Sequence, residues 1–414
     1  MLLKFNIIRK YALTGFILIG LIFFISCEPD SFREKEKEAE DLISTALNDS
    51  MFAGAVILVG SSDEILYSRA FGYAHLYNED LSEVENPIIM TEDHLFDLAS
   101  LTKVLATTYG LMVLHSRGEI RTDDFVSKYL PEFDTDEKKS ITIEHLLRHS
   151  SGILPWYPSY YVATTPEERL QFTANEPLID TPGEDRLYSD FGFMILGDII
   201  ENVSGQTLDQ FLMTEVYDPL ELNSTFFNPD SELHNQIVST SHGNPFEKKM
   251  VYDDSFGFEI DIDPTLWNDW RTYTLNGEVN DGNAFYTHQG VAGHAGLFST
   301  ASEIYVLLSV LLNDGKFNEK EIINPATVNH FLDEDSFGHG MGWMKTDGSL
   351  HSNNLPENSF GHTGFTGTNI VISPETDRIL IFLTNRQHMG VDSSGNYPNL
   401  RPVREELSKI FFSD

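Results

Sequence analysis

The sequence is poor in cysteine and in basic residues, and each shortage excludes a class of protein. Its 414 residues contain one cysteine, so no disulfide can form within the chain and stability must come from a buried core. Lysine and arginine together number 27 against 64 aspartate and glutamate residues, which gives a formal net charge of −37. A surface this acidic repels phosphate backbones and anionic headgroups, so nucleic acid is not an expected partner.

The longest apolar run, residues 11–26, lies at the N-terminus. It reads YALTGFILIGLIFFIS, carries no charge and follows three basic residues. The run is short for a membrane-spanning helix and is typical of the core of a signal peptide. It ends in FISC, which resembles a bacterial lipobox, so we predict that residues 1–26 are a signal peptide and that Cys27 carries a lipid. The alternative is an ordinary signal peptide or an anchor helix with an incidental cysteine.

A charged segment follows this cysteine. Residues 27–34 begin a stretch, EPDSFREKEKEAED after Cys27, that is rich in charge and poor in apolar side chains. We interpret residues 27–34 as a lipidated tether that leads into a first helix. A lipid on Cys27 would anchor the protein to a membrane of a bacterial cell envelope, facing the periplasm or the cell surface.

The whole chain has the composition of a globular protein, with 41% hydrophobic and 12% aromatic residues. Strand patterns occur near both ends of the part that follows the tether. GAVILVG (54–60) and EILYSRAFG (64–72) predict a hairpin around a Ser-Ser-Asp turn. TNIVISP (368–374) and RILIFLTN (378–385) flank a second turn, and a last helix, VREELSKIFF, follows them.

Helical patterns dominate the middle of the chain. Residues 105–220 are mostly helical in pattern, whereas residues 225–290 mix acidic and aromatic residues without strong periodicity. We therefore expect an α/β fold (an α+β sandwich) with an antiparallel sheet built from both chain ends and covered by the first and last helices. An inserted lobe of helices and loops would occupy about residues 105–290. A cleft between two such lobes is a common place for a binding site.

Two side chains of DLASLTKVLATTYGLM, residues 97–112, indicate chemistry. The apolar residues recur at intervals of three and four, which predicts an amphipathic helix with Asp97 as its cap. Ser100 and Lys103 would lie one turn apart near its start. Serine is a poor nucleophile until a base removes its proton, and a desolvated lysine one turn away can be that base. Alone, however, a Ser-x-x-Lys spacing favours two surface residues, because chance produces it in a chain of this length.

Two later segments supply partners for this pair. In GEDRLYSDFGFMILG, Tyr188 lies directly before a helix, where a phenol can share a proton with Lys103 and deliver it to a leaving group. In FGHTGFTGTNIVISP, His362 and Gly364 lie just before a predicted strand. The histidine can hydrogen-bond a leaving group or a substrate carboxylate, and the glycine lets a substrate backbone approach the strand edge. Taken singly, a tyrosine or histidine in such a place is more often structural.

Five segments resemble, in order, the serine β-lactamase and penicillin-binding protein superfamily, especially its class C-like branch of peptidases and esterases. They are LASLTKVLATTYGLMVLHSRGEI, IEHLLRHSSGI, YSDFGFMILG, GVAGHAGLFSTASE and GHTGFTGTNIVISPETDRILIFLTNR. The likeness covers about residues 35–412, so residues 35–414 would be one catalytic domain that contains the inserted lobe. The resemblance implies an antiparallel sheet with helices and an all-helical lobe, in agreement with the patterns above.

The resemblance also implies roles for individual residues. Ser100 would be the nucleophile that becomes acylated, Lys103 its base, and Tyr188 the partner of Lys103 in proton transfer. His362 stands where many members have lysine in a Lys-Thr-Gly motif. The backbone N–H groups of Ser100 and Phe365 would form an oxyanion hole. No metal and no organic cofactor is implied.

Two residues depart from the pattern of that superfamily. Asp190 replaces the asparagine of the usual Tyr-x-Asn, and its carboxylate would either hold Lys103 protonated or select a cationic or amine-bearing group of the substrate. His362 is a less reliable cation than lysine, which weakens the expected capture of a substrate carboxylate. Efficient β-lactamase activity is therefore not expected, while ester or modified-peptide hydrolysis fits.

Other histidines and the loop-rich region offer weaker candidates. His145 and His149 have an i, i+4 spacing that can bind zinc, but we favour a core pair because no His-Glu-x-x-His motif is present. His294 is expected to support the Gly-rich backbone around it. The aromatic and acidic region 225–290 either rims the cleft or is a surface elaboration.

We therefore expect a serine hydrolase that cleaves an amide or ester bond of a peptide or small molecule through an acyl-enzyme on Ser100. DD-carboxypeptidase-like or D-amino-acid peptide cleavage ranks first, with carboxylesterase activity second. The alternative from another class is a non-catalytic binder of cell-wall fragments. The set of Ser100, Lys103 and Tyr188 favours the enzyme, since a binder needs no such set. Metal-assisted hydrolysis by the histidines is a third hypothesis.

Overall fold

The computed structural model describes residues 30–258, 260–345, 350 and 355–413. The predicted signal peptide and the predicted lipid site Cys27 lie outside these residues. The α-helices are α1 Asp30–Asn48, α2 Tyr109–Ser116, α3 Ile143–Leu147, α4 Pro166–Asn175, α5 Asp190–Ser204, α6 Leu208–Leu212, α7 Pro245–Tyr252, α8 Ala301–Leu312, α9 Pro325–Leu332 and α10 Arg401–Phe412.

The strands of the described chain form one large and two small sheets. The strands are β1 Gly54–Gly60, β2 Ile65–Tyr77, β3 Glu83–Ile89, β4 Phe96–Asp97, β5 Phe226–Phe227, β6 Leu297–Ser299, β7 Lys316–Phe317, β8 Lys320–Glu321, β9 Met344–Lys345, β10 Phe360–Thr363, β11 Asn369–Ser373 and β12 Arg378–Thr384. The seven-stranded sheet has the order β3-β2-β1-β12-β11-β10-β9, and its neighbouring strands are antiparallel. Strands from the two chain ends meet where β1 pairs with β12, so the predicted fold class is confirmed.

Both faces of β1 are covered, which explains why its sequence is apolar throughout. Ile57 faces α1 and α10, where it joins a core cluster with Ile43 and Leu407. Leu58 faces the opposite side and joins the main core with Leu308 of α8. A strand buried on both faces has no solvent side, so its seven residues, GAVILVG, read as a continuous hydrophobic run.

The main core runs without a break from the sheet into the helical region. One cluster contains Leu58 of β1, Leu111 of α2, Ile195 of α5 and Leu308 of α8, all fully or almost fully buried. Helices α2–α7 lie within the predicted lobe over about residues 105–290, together with the short strand β5. The predicted lobe therefore shares its core with the sheet.

Strands β2 and β3 and helix α1 differ from what the sequence predicted. β2 continues to Tyr77, and β3 was not predicted because its segment EVENPII is mostly solvent-exposed and interrupted by proline at the sheet edge. The first helix begins at Asp30, so residues 30–34 of the predicted tether are helical. Among the described helices, none combines the length and the apolar character needed to cross a membrane.

Candidate active site

The predicted nucleophile lies on a tight turn between β4 and α2. Residues Ala99–Leu101 form a 3₁₀ turn and Lys103–Thr108 a π-helical segment before α2 begins, so the expected single regular helix from residue 97 is wrong. Ala99 has a φ of 45°, in the left-handed region that non-glycine residues rarely adopt. Such a conformation costs about 1–3 kcal/mol and persists only where surrounding contacts enforce it.

Asp97 supplies one of those contacts. Its Oδ1 accepts a hydrogen bond from the Ala99 N–H at 2.9 Å, and its Oδ2 accepts one from the Asn280 N–H at 2.6 Å. Asp97 is therefore not the predicted helix cap, since the N-cap position is Leu98 and has no side-chain cap hydrogen bond; Asp97 instead fixes the turn and a distant loop. Burial raises the pKa of the Asp97 carboxyl to about 6, although both N–H donors oppose that rise.

The turn after β10 is held against the same segment. The Thr366 hydroxyl donates to the Asp97 carbonyl at 2.7 Å, and the Thr368 hydroxyl donates to the Leu98 carbonyl at 3.1 Å. Gly364 is required here by close approach, because a Cβ atom on it would lie 2.0 Å from the Thr368 Oγ1 and 2.5 Å from the Leu98 carbonyl oxygen. These contacts place Gly364 and Phe365 beside the turn that carries Ser100. The Phe365 N–H is the second predicted donor of the oxyanion hole.

Lys103 is the centre of the polar site. Its fully buried ammonium donates to Ser100 Oγ at 3.0 Å and to the His294 carbonyl at 3.1 Å, and it lies 2.8 Å from Asp190 Oδ1. The Ser-x-x-Lys spacing therefore brings nucleophile and amine into hydrogen-bond contact. Of the two roles considered for Asp190, the ion pair with Lys103 is the one present in this structure.

Two influences oppose each other on the Lys103 amine. Burial lowers its pKa, but the Asp190 carboxylate and the Tyr188 phenol outweigh burial and raise the pKa above the usual range of lysine. Lys103 is therefore an ammonium at neutral pH, not the neutral amine that a desolvated lysine alone would be.

Tyr188 and Asp190 are positioned by the start of α5. The hydroxyl of Ser189, the N-cap, accepts from the Gly192 N–H at 3.0 Å and donates to the Leu154 carbonyl at 2.8 Å. Lys103 Nζ lies 5.1 Å from the centre of the Tyr188 ring. Burial raises the pKa of the Tyr188 hydroxyl, while the charge of Lys103 and hydrogen bonding to Ser100 and Lys103 oppose this. The phenol is therefore protonated and in hydrogen-bonding reach of the serine and the amine.

His362 lies behind Tyr188, not on the wall of the cavity described next. It is 1% exposed, its ring centre is 6.1 Å from that of Tyr188, and its Nδ1–H donates to the Thr363 carbonyl at 2.8 Å. Burial, followed by the charge of Lys103, lowers the pKa of His362 to about 3. The imidazole is therefore neutral and supplies no positive charge for a substrate carboxylate.

A cavity of about 260 Å³ is lined by four of the predicted site residues, Ser100, Tyr188, Asp190 and Phe365. The carbonyl of Phe365 is held by Arg386 Nη2 at 2.7 Å. The sequence analysis gave no individual role to the aromatic and polar residues that form much of the remaining wall: Trp156, Phe246, Phe258, Tyr397, Asn244, Glu247, Asn280 and Asp281. Six of these eight residues belong to region 225–290, so this region lines the cleft; its aromatic and acidic composition was the available signal.

Hydrogen bonds connect a polar residue of the cavity wall, Asp281, to the Lys103 centre. Asp281 Oδ1 lies 2.9 Å from His294 Nε2 and accepts from the Ala284 N–H at 2.8 Å. The His294 carbonyl accepts from Lys103, so His294 joins the Lys103 centre to Asp281. Desolvation would raise the pKa of the Asp281 carboxyl, but the interaction with His294 outweighs it and lowers the pKa to about 2.

The other predicted histidines are structural. His145 caps α3 by accepting from the Thr142 N–H at 3.3 Å. His149 accepts from the Ser189 N–H at 3.1 Å, and its ring centre is 4.4 Å from that of Tyr188. No cluster of three or more histidine, cysteine, aspartate or glutamate residues suited to a metal ion occurs in the described part of the chain.

A family model described as Beta-lactamase matches residues 39–404. The chain belongs to the beta-lactamase family. It is 35% identical over 370 residues to a protein of Escherichia coli (strain K12) named "Putative D-alanyl-D-alanine carboxypeptidase", a match that covers 83% of this chain and 81% of that protein. The resemblance inferred from the five segments is thereby confirmed, and the protein is a serine hydrolase of the beta-lactamase family.

Two further comparisons agree with this assignment. The chain is 31% identical over 402 residues to the "N-acetylmuramyl-L-alanine amidase" of Bacillus subtilis (strain 168), covering 91% of this chain and 87% of that protein. Its fold is similar to the solved structure of "EstCE1, a hydrolase with promiscuous acyltransferase activity", with a TM-score of 0.69 and 19% identity over 93% of this chain and 100% of that one. At that identity the structural match supports the shared fold.

Proposed function

We propose that the protein is a bacterial envelope hydrolase that cleaves amide bonds of short, cell-wall-type peptides through an acyl-enzyme on Ser100. The observation that carries this proposal is the contact of Ser100 Oγ with Lys103 Nζ at 3.0 Å, beside a protonated Tyr188 at one end of a cavity. The names of the two bacterial relatives, a carboxypeptidase and an amidase, support an amide as the substrate bond. Cleavage of the DD-carboxypeptidase or D-amino-acid peptide type ranks first.

The first chemical step is attack by Ser100 on the carbonyl carbon. Lys103 Nζ passes one proton to Asp190 Oδ1, 2.8 Å away, and the amine so formed takes the proton of Ser100 Oγ, so Lys103 is an ammonium again once the tetrahedral intermediate has formed. The N–H groups of Ser100 and Phe365 stabilise the oxyanion of the tetrahedral intermediate. This scheme assigns Asp190 the role of proton acceptor, which the ammonium form of Lys103 cannot fill.

Collapse of the intermediate breaks the bond to the leaving amine. Tyr188 donates its proton to that nitrogen and regains one from Lys103, which recovers its own from Asp190. Water then attacks the acyl-enzyme by the same route and releases the acid. His362 takes no part in proton transfer; it packs behind Tyr188 and orients the phenol.

A second candidate, carboxylesterase activity, is favoured by one observation. His362 is neutral and buried where many members have a lysine, so the site lacks the cation that would bind a C-terminal carboxylate. An ester substrate carries no such carboxylate. The lipid on Cys27 and the anchoring of the enzyme to an envelope membrane belong to the same proposal and rest on the lipobox-like FISC.

Kinetics on matched amide and ester substrates tests the proposal. The full chain in detergent would be given short alanine peptides and short-chain p-nitrophenyl esters, with Ser100→Ala as control. We expect kcat/KM for peptide hydrolysis well above background and its loss in the control. Ester hydrolysis without peptide hydrolysis would replace the peptidase by the esterase, and activity that survives Ser100→Ala would contradict the acyl-enzyme.

A further inference from the structure

Glu247 is one of two acidic groups of the cavity that the proposed chemistry does not use; the other is Asp281. It lies on α7 and faces the same cavity as Ser100. Asp190 is paired with Lys103 and Asp281 with His294, whereas Glu247 has no cationic partner within 4 Å among the described residues. A carboxylate without a cation beside an enzyme's nucleophile calls for a functional explanation.

Neutral donors hold Glu247 in place. The Tyr160 hydroxyl donates to Oε1 at 2.7 Å, the Gly282 N–H donates to Oε2 at 3.2 Å, and Asn244 Nδ2 lies 3.5 Å from Oε2. A Cβ atom on residue 282 would lie 2.2 Å from Oε1, so glycine at that position is what lets the carboxylate occupy its place. A carboxylate accepts about four hydrogen bonds, so this one has capacity for a ligand donor while its position stays fixed.

The charges around the cavity favour a cation and oppose an anion. Burial, followed by the negative charge of Asp281, raises the pKa of the Glu247 carboxyl, so this part of the cavity disfavours further negative charge. A positive group on a ligand would relieve both effects. No lysine or arginine side chain is among the described residues that line the cavity.

Two guanidinium groups near this wall, those of Arg386 and Arg271, are engaged by other groups. Arg386 donates to the carbonyls of Phe365 and Pro398. Arg271 donates to Asn244 Oδ1 and to the carbonyl of Asn280. A substrate carboxylate would therefore meet acidic and aromatic side chains without a free cation, which is unfavourable in a partly desolvated site.

The size of the cavity limits where a positive group of the substrate can be. A volume of about 260 Å³ lies below the ~300–1,000 Å³ of typical small-molecule pockets, so the acyl group it takes is short. In a short aminoacyl group the cation is the α-amine, two bonds from the carbonyl carbon that Ser100 attacks.

We propose that Glu247 is a specificity-determining residue that binds the free α-amine of the substrate's acyl group, so that the enzyme prefers unblocked aminoacyl amides. The proposal narrows the proposed function to its D-amino-acid peptide type, because a DD-carboxypeptidase substrate carries the carboxylate that this wall disfavours. It rests on the proposed function, because it assumes that Ser100 attacks a carbonyl within this cavity. Asn244 and the Tyr160 hydroxyl act as positioning groups that keep the carboxylate facing the amine.

Two substrates that differ only in the α-amine test this proposal. Alanine p-nitroanilide, in its D and L forms, would be compared with the N-acetyl derivatives, using the full chain in detergent and measuring kcat/KM. We expect the free-amine substrate of the accepted enantiomer to be preferred by about ten- to hundredfold, the range of a charge-assisted hydrogen bond. In Glu247→Gln, which keeps the shape and one acceptor oxygen, the preference should fall to within about threefold through loss of the free-amine rate alone.

Glu232→Gln is the matched control. Glu232 lies in the same loop-rich region, is exposed, and does not line the cavity. The control should keep the wild-type preference, which shows that a general loss of negative charge is not the cause. Labelling of Ser100 by a small fluorophosphonate, measured on each variant, reports whether the nucleophile and its surroundings remain intact.

Several outcomes would overturn the inference. Preference for the acetylated substrates in the wild type, or an unchanged preference in Glu247→Gln, contradicts the role of Glu247. If the phosphonate labels Ser100 but neither anilide is hydrolysed, the amine specificity is wrong while the serine hydrolase stands. If a folded wild-type protein is not labelled at all, the proposed function itself fails.

Discussion

At the scale of single residues, the ion pair of Lys103 and Asp190 decides how the nucleophile is activated. A lysine buried among apolar groups would lose its proton easily, whereas this lysine keeps it because a carboxylate lies 2.8 Å away. The proton of Ser100 therefore needs a second acceptor, and Asp190 is the group in contact with Nζ that can be one.

Replacing Asp190 by asparagine tests this assignment through pH dependence. The change removes the first of the influences that raise the pKa of Lys103 and leaves burial, which lowers it. We expect kcat/KM at pH 7 to fall by about ten- to hundredfold and to rise with pH toward 10, as Lys103 becomes a neutral base. The wild type, with Lys103 protonated and Asp190 available, should show no such rise between pH 7 and 9.

Asp190→Glu is the control for that profile, since it keeps a carboxylate near the amine. It should retain the flat profile of the wild type, even if its rate is reduced. An Asp190→Asn profile with the wild-type shape would show that Lys103 does not depend on Asp190.

The sequence identified these residues, but it did not give the ion pairing of Asp190 or the protonation state of His362. Ser100, Lys103 and Tyr188 were found because their spacing and order match a known family, and the structure brings them together. The pairing of Asp190 was one of two alternatives, because a sequence does not give the distance between positions 103 and 190. The neutral form of His362 follows from its complete burial, which no local pattern around it indicated.

At the scale of secondary-structure elements, the start of α5 links stability to catalysis. Ser189 caps the helix, and its two sequence neighbours are Tyr188 and Asp190, which touch the Lys103 centre. The same hydroxyl bonds to the Leu154 carbonyl, which fixes the approach of the chain to the helix.

Ser189→Ala is expected to reduce both stability and activity. Loss of the cap should lower the free energy of unfolding by about 1 kcal/mol, within the 0.5–2 kcal/mol typical of N-cap residues. It should also lower kcat, because Tyr188 and Asp190 lose their fixed position. Urea denaturation and steady-state kinetics measure the two effects separately.

Thr165→Ala is a matched control at the start of α4. Thr165 also caps its helix, accepting from the Glu168 N–H at 3.2 Å, but its helix carries none of the proposed catalytic residues. It should cost similar stability and leave kcat unchanged. Equal losses of kcat in both variants would mean that the cap of α5 does not act on catalysis by positioning Tyr188 and Asp190.

Elements were predictable from sequence where burial produced a strong pattern. β1 and β12 were found because both are apolar along their length, and α5 because Gly205, at φ 69°, ends it. β3 was missed because an exposed edge strand lacks such a pattern. The π-helical segment after Ser100 was missed as well, because it keeps the three- and four-residue spacing of an α-helix.

At the scale of the whole molecule, the two chain ends close one sheet. β1 pairs with β12, and α1 and α10 cover the face that this pair presents. Leu407 of α10 is fully buried there among side chains such as Ile43 and Ile57. Helix α10 is therefore a structural part of the sheet's core, although none of its residues lines the cavity.

Leu407→Ala tests the contribution of this packing. Removing a fully buried leucine side chain should lower the free energy of unfolding by about 2–5 kcal/mol, because it leaves a cavity between α10 and the sheet. Glu405→Ala, on the exposed side of the same helix, should change it by less than about 0.5 kcal/mol. Equal, small effects measured by urea denaturation would show that α10 is not needed to close the sheet.

The arrangement of the cavity was the least predictable feature at this scale. Its wall joins residues from positions 99 to 397, and much of it comes from region 225–290, whose sequence has no periodicity. Glu247 and Asp281 line the same cavity as Ser100 although they are distant from it in the sequence. The sequence suggested that this region faces the cleft or the surface, and only the folded chain decides between them.

The central claim is that Ser100 is the nucleophile, and a covalent probe tests it most directly. The folded full chain would be treated with a fluorophosphonate, and the adduct located by intact mass and peptide mapping, with Ser100→Ala as control. We predict one adduct per chain, on Ser100, absent from the control and strongly slowed in Lys103→Ala. No adduct on a folded protein, or one on another residue that persists in Ser100→Ala, would contradict the acyl-enzyme mechanism.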